Sequence, residues 1–206
     1  IMCRQEGGSA MMAEAYGKLT GNPGICLVTR GPGATNASAG IHIAMQDSTP
    51  LVMLVGQVGR EMMDREAFQE IDYRRMYGEL TKWVAQIEDT SRIPEYISRA
   101  FHTATSGRPG PVVLALPEDM LTEYADTKII NSYQKIEAYP SPADLVKVEA
   151  MLSNSDAPLM IVGGGGWDEA ACQKIQNFAE KNNLPVGCSF RCQDYFDNRH
   201  PNYVGH

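Results

Sequence analysis

The chain has 206 residues, enough for one large domain or parts of two, and its 43% hydrophobic and 21% charged content is ordinary for a globular protein. A formal charge of −7 with no basic stripe argues against a nucleic-acid partner, and no run approaches the roughly 18–20 apolar residues that span a membrane. Cys3, Cys26, Cys172, Cys188 and Cys192 form no Cys-x-x-Cys pair and have no histidine at zinc-site spacing, so they read as reduced, mostly buried thiols of a reducing, cytoplasmic compartment.

In chain order, Ile1-Met2-Cys3 reads as the tail of a strand, and residues 8–19 as a helix rich in Ala, Met and Gly that Gly21 closes. Ile25 to Thr29 is a short apolar run of the kind that forms a buried parallel strand. Arg30 to Gly33 is a turn, Ala34 to Gln46 a second helix, and Leu51 to Val55 a second buried strand. Strand, helix, strand is the crossover unit of a parallel α/β sheet. Residues 58–80 are charged and irregular, with a short helix from Asp72 to Tyr77. Lys82 to Ile87 reads as a strand, and Asp89-Thr90-Ser91 caps a helix from Arg92 to Thr105. Gly107-Arg108-Pro109-Gly110-Pro111 breaks the chain before a strand from Val112 to Leu116.

Residues 122–140 lose periodicity and read as an interdomain linker. Beyond it the rhythm resumes. Ser141-Pro142 opens a helix to Leu152, Leu159 to Val162 is a strand, Asp168 opens a helix to about Asn182, and Pro185 to Cys188 is a further strand. The ends carry no polar tail, and the chain reads as an internal piece of a longer protein, so the lack of a signal peptide carries no information.

Three places could carry chemistry. Glu6, in Arg4-Gln5-Glu6-Gly7-Gly8, enters a helix N-terminus, where a carboxylate can simply favour the helix dipole. Its apolar, Gly-rich surroundings should raise its pKa by desolvation, against the dipole, and a partly protonated Glu beside a ring nitrogen could shuttle a proton. Thr29-Arg30-Gly31-Pro32-Gly33-Ala34-Thr35-Asn36 places a Gly-Pro-Gly turn at a strand's carboxyl end, where open α/β sheets bind ligands, although a generic turn would look the same. It lacks both the dinucleotide fingerprint and the Gly-Lys-Ser/Thr of a phosphate loop. The run Gly163 to Gly166 also follows a strand, and is a structural turn or a nucleotide contact. His42 and His102 fall in helices and read as structural, and no Ser-His-Asp set is present.

Together these segments, with Val55-Gly56-Gln57-Val58, Ala67-Phe68-Gln69-Glu70 and Gly107 to Pro117, resemble the thiamine-diphosphate-dependent enzymes of the acetolactate synthase and pyruvate oxidase group. The resemblance spans essentially the whole chain. It implies an α/β fold: a parallel sheet flanked by helices over residues 1–123, the pyrimidine-binding domain without its first strand and helix. A linker over 124–140 would follow, then the start of a second, Rossmann-like central domain over 141–206. The magnesium ligands would lie in a further domain, the active site would form between subunits of a homodimer or homotetramer, and the chain alone would be inactive.

By the same resemblance, Glu6 would hydrogen-bond the cofactor's aminopyrimidine and stabilise its imino tautomer, whose nitrogen removes the thiazolium proton. Pro32 and Asn36 would line the pyrimidine, and Gln69 would reach the cofactor near a 2-oxo acid substrate. Phe68, Arg108, Gly163, Gly164 and Gly165 match positions that hold FAD in the flavin-containing members. Two positions depart from the family pattern. The histidine before the glutamate is Gln5, which removes an ionisable neighbour, and the lysine after Leu-Pro is Glu118, which changes the charge of the substrate channel. The implied reaction is decarboxylation of a 2-oxo acid with transfer of the carbon unit. A decarboxylase or oxidase of the same family, and a non-catalytic binding or assembly module, stand as alternatives.

Overall fold

A computed structural model describes residues 1–206, which divide into two compact units, Ile1–Ile136 and Glu137–His206. The first unit is built on a four-stranded, wholly parallel sheet of strands β1 (Gly24–Val28), β2 (Leu51–Gln57), β3 (Trp83–Gln86) and β4 (Pro111–Pro117), in the order β1-β2-β4-β3. Its helices are α1 (Glu6–Thr20), α2 (Pro32–Asp47), α3 (Tyr73–Tyr77) and α4 (Ile93–Thr105).

The two central strands read as continuous apolar runs because both of their faces are covered. On β2, Met53 and Val55 enter a core with Ala10, Ala37, Ile41, Tyr73 and Tyr77 from α1, α2 and α3. Val52, alternating with them, enters a second core with Ala100 and Ala104 of α4, and Leu54 packs on the same side. Strand β4 divides in the same way, Val113 and Ala115 to one side and Val112 and Leu114 to the other. Edge strand β1 differs: Cys26 and Val28 are buried, while Ile25 and Leu27 on the opposite face are 60% and 68% exposed.

Small residues determine how near α1 lies to α2. A Cβ added at Gly40 of α2 would come within 2.6 Å of the Ala10 Cβ on α1, so a side chain there would push the helices apart. Pro32 stands in the first turn of α2, where its missing N–H costs nothing, so the helix starts two residues earlier than the sequence pattern predicts. The predicted strand tail at Ile1–Cys3 does not form. Ile1 and Met2 are exposed, and β1 ends the sheet with no strand beside it to supply a ladder.

The break between units falls inside the stretch read as a linker. Tyr133 packs its ring 5.3 Å from that of Phe101 on α4, which attaches residues up to 136 to the first unit. The second unit has a three-stranded parallel sheet, β5 (Met160–Val162), β6 (Val186–Cys188) and β7 (Tyr203–Gly205), in that order, with helices α5 (Pro142–Ser153) and α6 (Glu169–Asn182). Val162, Ala179, Leu184, Val186, Cys188 and Phe196 form its core. Strand β7 is only three residues long, follows the Asp197–Asn202 turns and does not stand out as an apolar run in the sequence. All five cysteines are free; Cys26, Cys188 and Cys192 are buried.

Candidate functional site

Because all four strands of the first unit are parallel, their carboxyl ends share one edge, and the segments leaving that edge meet there. Helix α1 runs into β1 from the opposite end, so its first turn, with Glu6, also lies at this edge. The Glu6 carboxylate accepts a hydrogen bond from Asn36 Nδ2 at 3.0 Å through Oε2. Asn36 is in the first turns of α2, and the close α1–α2 approach is what lets two residues 30 positions apart meet. Gly33 faces the pair, with room for no more than hydrogen: an added Cβ would lie 2.8 Å from Thr29 Cγ2 and 3.7 Å from Glu6 Cγ.

The expected rise in the Glu6 pKa does not occur. The bond from Asn36 lowers it, the helix's own N–H lowers it further, and burial opposes both only weakly, because Glu6 is half-exposed. In this state Glu6 is an ionised carboxylate at neutral pH. Gln5 does not leave a gap where the family histidine would stand. It is the N-cap of α1, its side-chain oxygen accepting the Gly8 N–H at 2.8 Å.

The turn after β1 is held from three sides. Gly31 has φ 60° and ψ −115°, a conformation that a side chain would strain, and an added Cβ would strike the Gln69 Cβ at 2.6 Å. Gln69 is therefore pressed on the turn, itself with φ 67°. The Tyr73 hydroxyl accepts the Gly31 N–H at 3.0 Å and donates to the Gly56 carbonyl at 3.1 Å, tying the ends of β1 and β2 together. Burial raises the Tyr73 phenol's pKa, so it stays protonated and able to donate. Tyr77, fully buried, donates to the Ala34 carbonyl and steadies the first turn of α2. Arg30 donates through Nη1 to Glu118 at 2.8 Å and through Nε to the Phe68 carbonyl at 3.3 Å.

Glu6, Pro32, Asn36 and Gln69 thus gather at one edge on an open shelf, with Pro32 and Asn36 exposed. A cavity of about 250 Å³ opens further along this edge, lined by Gln57, Asp72, Tyr73, Gln86 and Glu88, and Glu6 is not among its walls. Within the first unit, two of the residues matched to flavin, Phe68 and Arg108, lie apart. Phe68 is 79% exposed beside the shelf. Arg108 lies at the opposite edge, where it donates to Ser48 Oγ at 2.7 Å and to the last carbonyls of α2. Gly163, Gly164 and Gly165 belong to the second unit, where Trp167 Nε1 and the Tyr195 hydroxyl donate to the carbonyls of Gly163 and Gly164, each at 3.0 Å. No group of three or more His, Cys, Asp or Glu side chains could hold a metal ion.

Sequence reading did not single out Tyr73 or Tyr77. They carry a signal, aromatic residues four apart on a short capped helix, that points to one buried face but not to a hydroxyl aimed at a turn.

A parallel sheet that gathers an acid, an amide and a Gly-Pro-Gly turn at its carboxyl edge is an α/β ligand-binding unit of the cofactor-seating kind. The chain belongs to the thiamine pyrophosphate enzymes: residues 1–76 match their N-terminal TPP binding domain and residues 145–206 their central domain. It is 34% identical to acetolactate synthase 3, chloroplastic, of Brassica napus over 206 residues, covering 94% of this chain and 31% of that protein. It is 32% identical to the acetolactate synthase isozyme 2 large subunit of Escherichia coli (strain K12) over 205 residues, covering 100% of this chain and 37% of that protein. To the acetolactate synthase large subunit of Lactococcus lactis subsp. lactis it is 37% identical over 190 residues, 90% of this chain and 33% of that protein. The chain spans about a third of the length of these relatives.

Proposed function

We propose that this chain supplies the pyrimidine-binding shelf of a thiamine-diphosphate-dependent enzyme that decarboxylates a 2-oxo acid and transfers the carbon unit, a reading that its likeness to proteins named acetolactate synthase supports. Residues 1–123 form the pyrimidine-binding domain on this reading and residues 141–206 the start of the central domain. The observation that carries it is the Glu6–Asn36 pair at the sheet edge, beneath a turn that Gln69 closes. An aminopyrimidine fits this donor set. It presents a flat ring and nitrogen atoms to a carboxylate, and Gly33 leaves the approach to Glu6 free of side-chain bulk.

When bound, thiamine diphosphate supplies the electron sink for decarboxylation. The chain's own residues bind and control protons. Asn36 engages Glu6 Oε2, so Oε1 is the oxygen offered to a ring nitrogen. Ionised Glu6 accepts or shares a proton there, and a ligand covering the shelf raises its proton affinity by excluding water. Pro32 and Gln69 border the ring. Magnesium would be held by residues outside this chain. The shelf is open, and α1 leaves Met11, Met12, Tyr16 and Leu19 exposed, which supports assembly into a homodimer or larger oligomer that covers it.

For FAD, Arg108 is already bound to the end of α2, and Phe68 is at the other edge of the sheet. Within the first unit these two side chains do not come together around one ligand. A decarboxylase or oxidase is the second reading, favoured by Glu118. Where typical acetolactate synthases carry lysine, this chain pairs an acid with Arg30 and so changes the charge near the acceptor.

Glu6→Gln in the intact protein should lower carbon dioxide release from 2-oxo acids by about 10²–10⁴-fold with the fold unchanged by circular dichroism. Near-normal turnover would remove Glu6 from the proton role.

A further inference from the structure

The segment from Val58 to Asp72, which carries Phe68 and Gln69, contains one short turn of helix and three left-handed residues that are not glycine: Asp64 (φ 61°), Glu66 (φ 53°) and Gln69 (φ 67°). Each such residue costs free energy, and so many within six positions persist only if surrounding structure enforces them. Part of the enforcement is internal. Glu70 accepts the N–H groups of Asp64 at 2.7 Å and Ala67 at 3.0 Å. Gln57, 1% exposed, donates to the Ile71 carbonyl at 2.8 Å.

The rest comes from one place, the two consecutive acids that follow β4. Asp119 grips the start of the segment. Its Oδ1 accepts the Arg60 N–H at 2.9 Å and its Oδ2 accepts Arg60 Nε at 2.7 Å, so a single carboxylate binds backbone and side chain of the same residue. Arg60 also donates through Nη1 to the Glu88 carbonyl at 2.5 Å and through Nη2 to Glu123. Glu118 holds the far end through Arg30, whose Nη1 it binds at 2.8 Å while Arg30 Nε donates to the Phe68 carbonyl at 3.3 Å.

We propose that Glu118 and Asp119 form a two-point clamp that sets the Phe68–Gln69 segment against Gly31, and so act as positioning residues for the ligand shelf. The clamp itself rests on the hydrogen bonds above; its connection to thiamine diphosphate rests on the proposed function. The two grips differ in strength. The Glu118 side chain is 60% exposed and the Arg30 side chain 26%, so screening by water weakens that ion pair. Asp119 and Arg60 are about one-third exposed, 29% and 33%, and share two hydrogen bonds. Asp119 is thus the firm hold and Glu118 the fine adjustment.

The test uses the intact protein and three variants: Asp119→Asn, Glu118→Gln and the charge swap Arg30→Glu with Glu118→Arg. Amide hydrogen exchange over residues 61–70 is followed without ligand, and the dissociation constant of thiamine diphosphate with magnesium by titration calorimetry. Asp119→Asn should speed exchange in this segment about tenfold or more, and Glu118→Gln roughly threefold, while exchange in β2 and β4 is unchanged. The dissociation constant should rise in the same order, and the charge swap, which restores an ion pair but leaves the Phe68 carbonyl without its donor, should recover little of what Glu118→Gln loses; full recovery would overturn the hold through Phe68. Unchanged exchange in both single variants would overturn the clamp. Faster exchange with an unaltered dissociation constant would overturn the positioning role. If the unaltered protein binds no thiamine diphosphate, the proposed function fails and the positioning role fails with it; the exchange measurements still decide the clamp.

Discussion

Two glycine turns follow parallel strands in this chain, and they behave differently. At Gly31-Pro32-Gly33 each glycine is packed: a Cβ at Gly31 would meet Gln69 at 2.6 Å and one at Gly33 would meet Thr29 at 2.8 Å. At Gly163 to Gly166 only Gly163 is crowded, with Ser189 at 3.0 Å, and nothing lies within 4 Å of a Cβ at the other three. The conformation of the first turn is over-determined by Gln69, Tyr73 and Arg30. The second is a loop held by its carbonyls, with its Cα surface open. The same strand–glycine–helix arrangement therefore gives two different turns; what packs on the turn decides how firmly it is held.

Substitutions can test this contrast. Gly31→Ala should have the largest effect. It forces a side chain into a positive-φ conformation and onto Gln69, and should destabilise the first unit by roughly 3 kcal/mol in urea unfolding and abolish thiamine diphosphate binding. Tyr73→Phe comes next. It leaves the Gly31 N–H without its partner in a buried place and should cost about 1–3 kcal/mol by the same measurement, with weaker ligand binding.

Asn36→Ala acts on protons more than on fold, and should raise the Glu6 pKa toward the ordinary carboxylate range, as read by carboxylate NMR titration. The direction of its pH effect follows from the depressed native value. Ionised Glu6 contributes stability above about pH 4.3, its unfolded value, and that contribution is lost as pH falls through the lower native value. The stability gap between the protein and Asn36→Ala should therefore close below about pH 4. Gly165→Ala should do least. It adds a methyl in open space without a positive φ and should shift stability by no more than about 0.5 kcal/mol. A large effect there would mean that the second turn is as constrained as the first.

The sequence by itself determined the parallel α/β class, because apolar runs of five residues bounded by glycine and proline have few other solutions. It also determined three caps: Asp72, Ser141 and Asp168 all accept an N–H from the first turn of the helix they were read as opening, whereas Asp89 caps a separate short turn, Thr90–Arg92, and α4 has no side-chain cap. Glu6, Pro32, Asn36 and Gln69 were legible as a set only through the register of several family motifs at once. Only the tertiary structure decided the direction of the Glu6 shift. That direction depends on Asn36 reaching one carboxylate oxygen and on how much water remains, neither of which is encoded by neighbours in the chain. It also decided that Arg108 and Phe68 stand at opposite edges of a sheet, and that Glu118 answers Arg30 across 88 positions. Local pattern specifies which elements form, because propensity and periodicity act over a few residues. Which side chains face one another across a parallel sheet is set by crossover connections, whose geometry appears only when the elements pack.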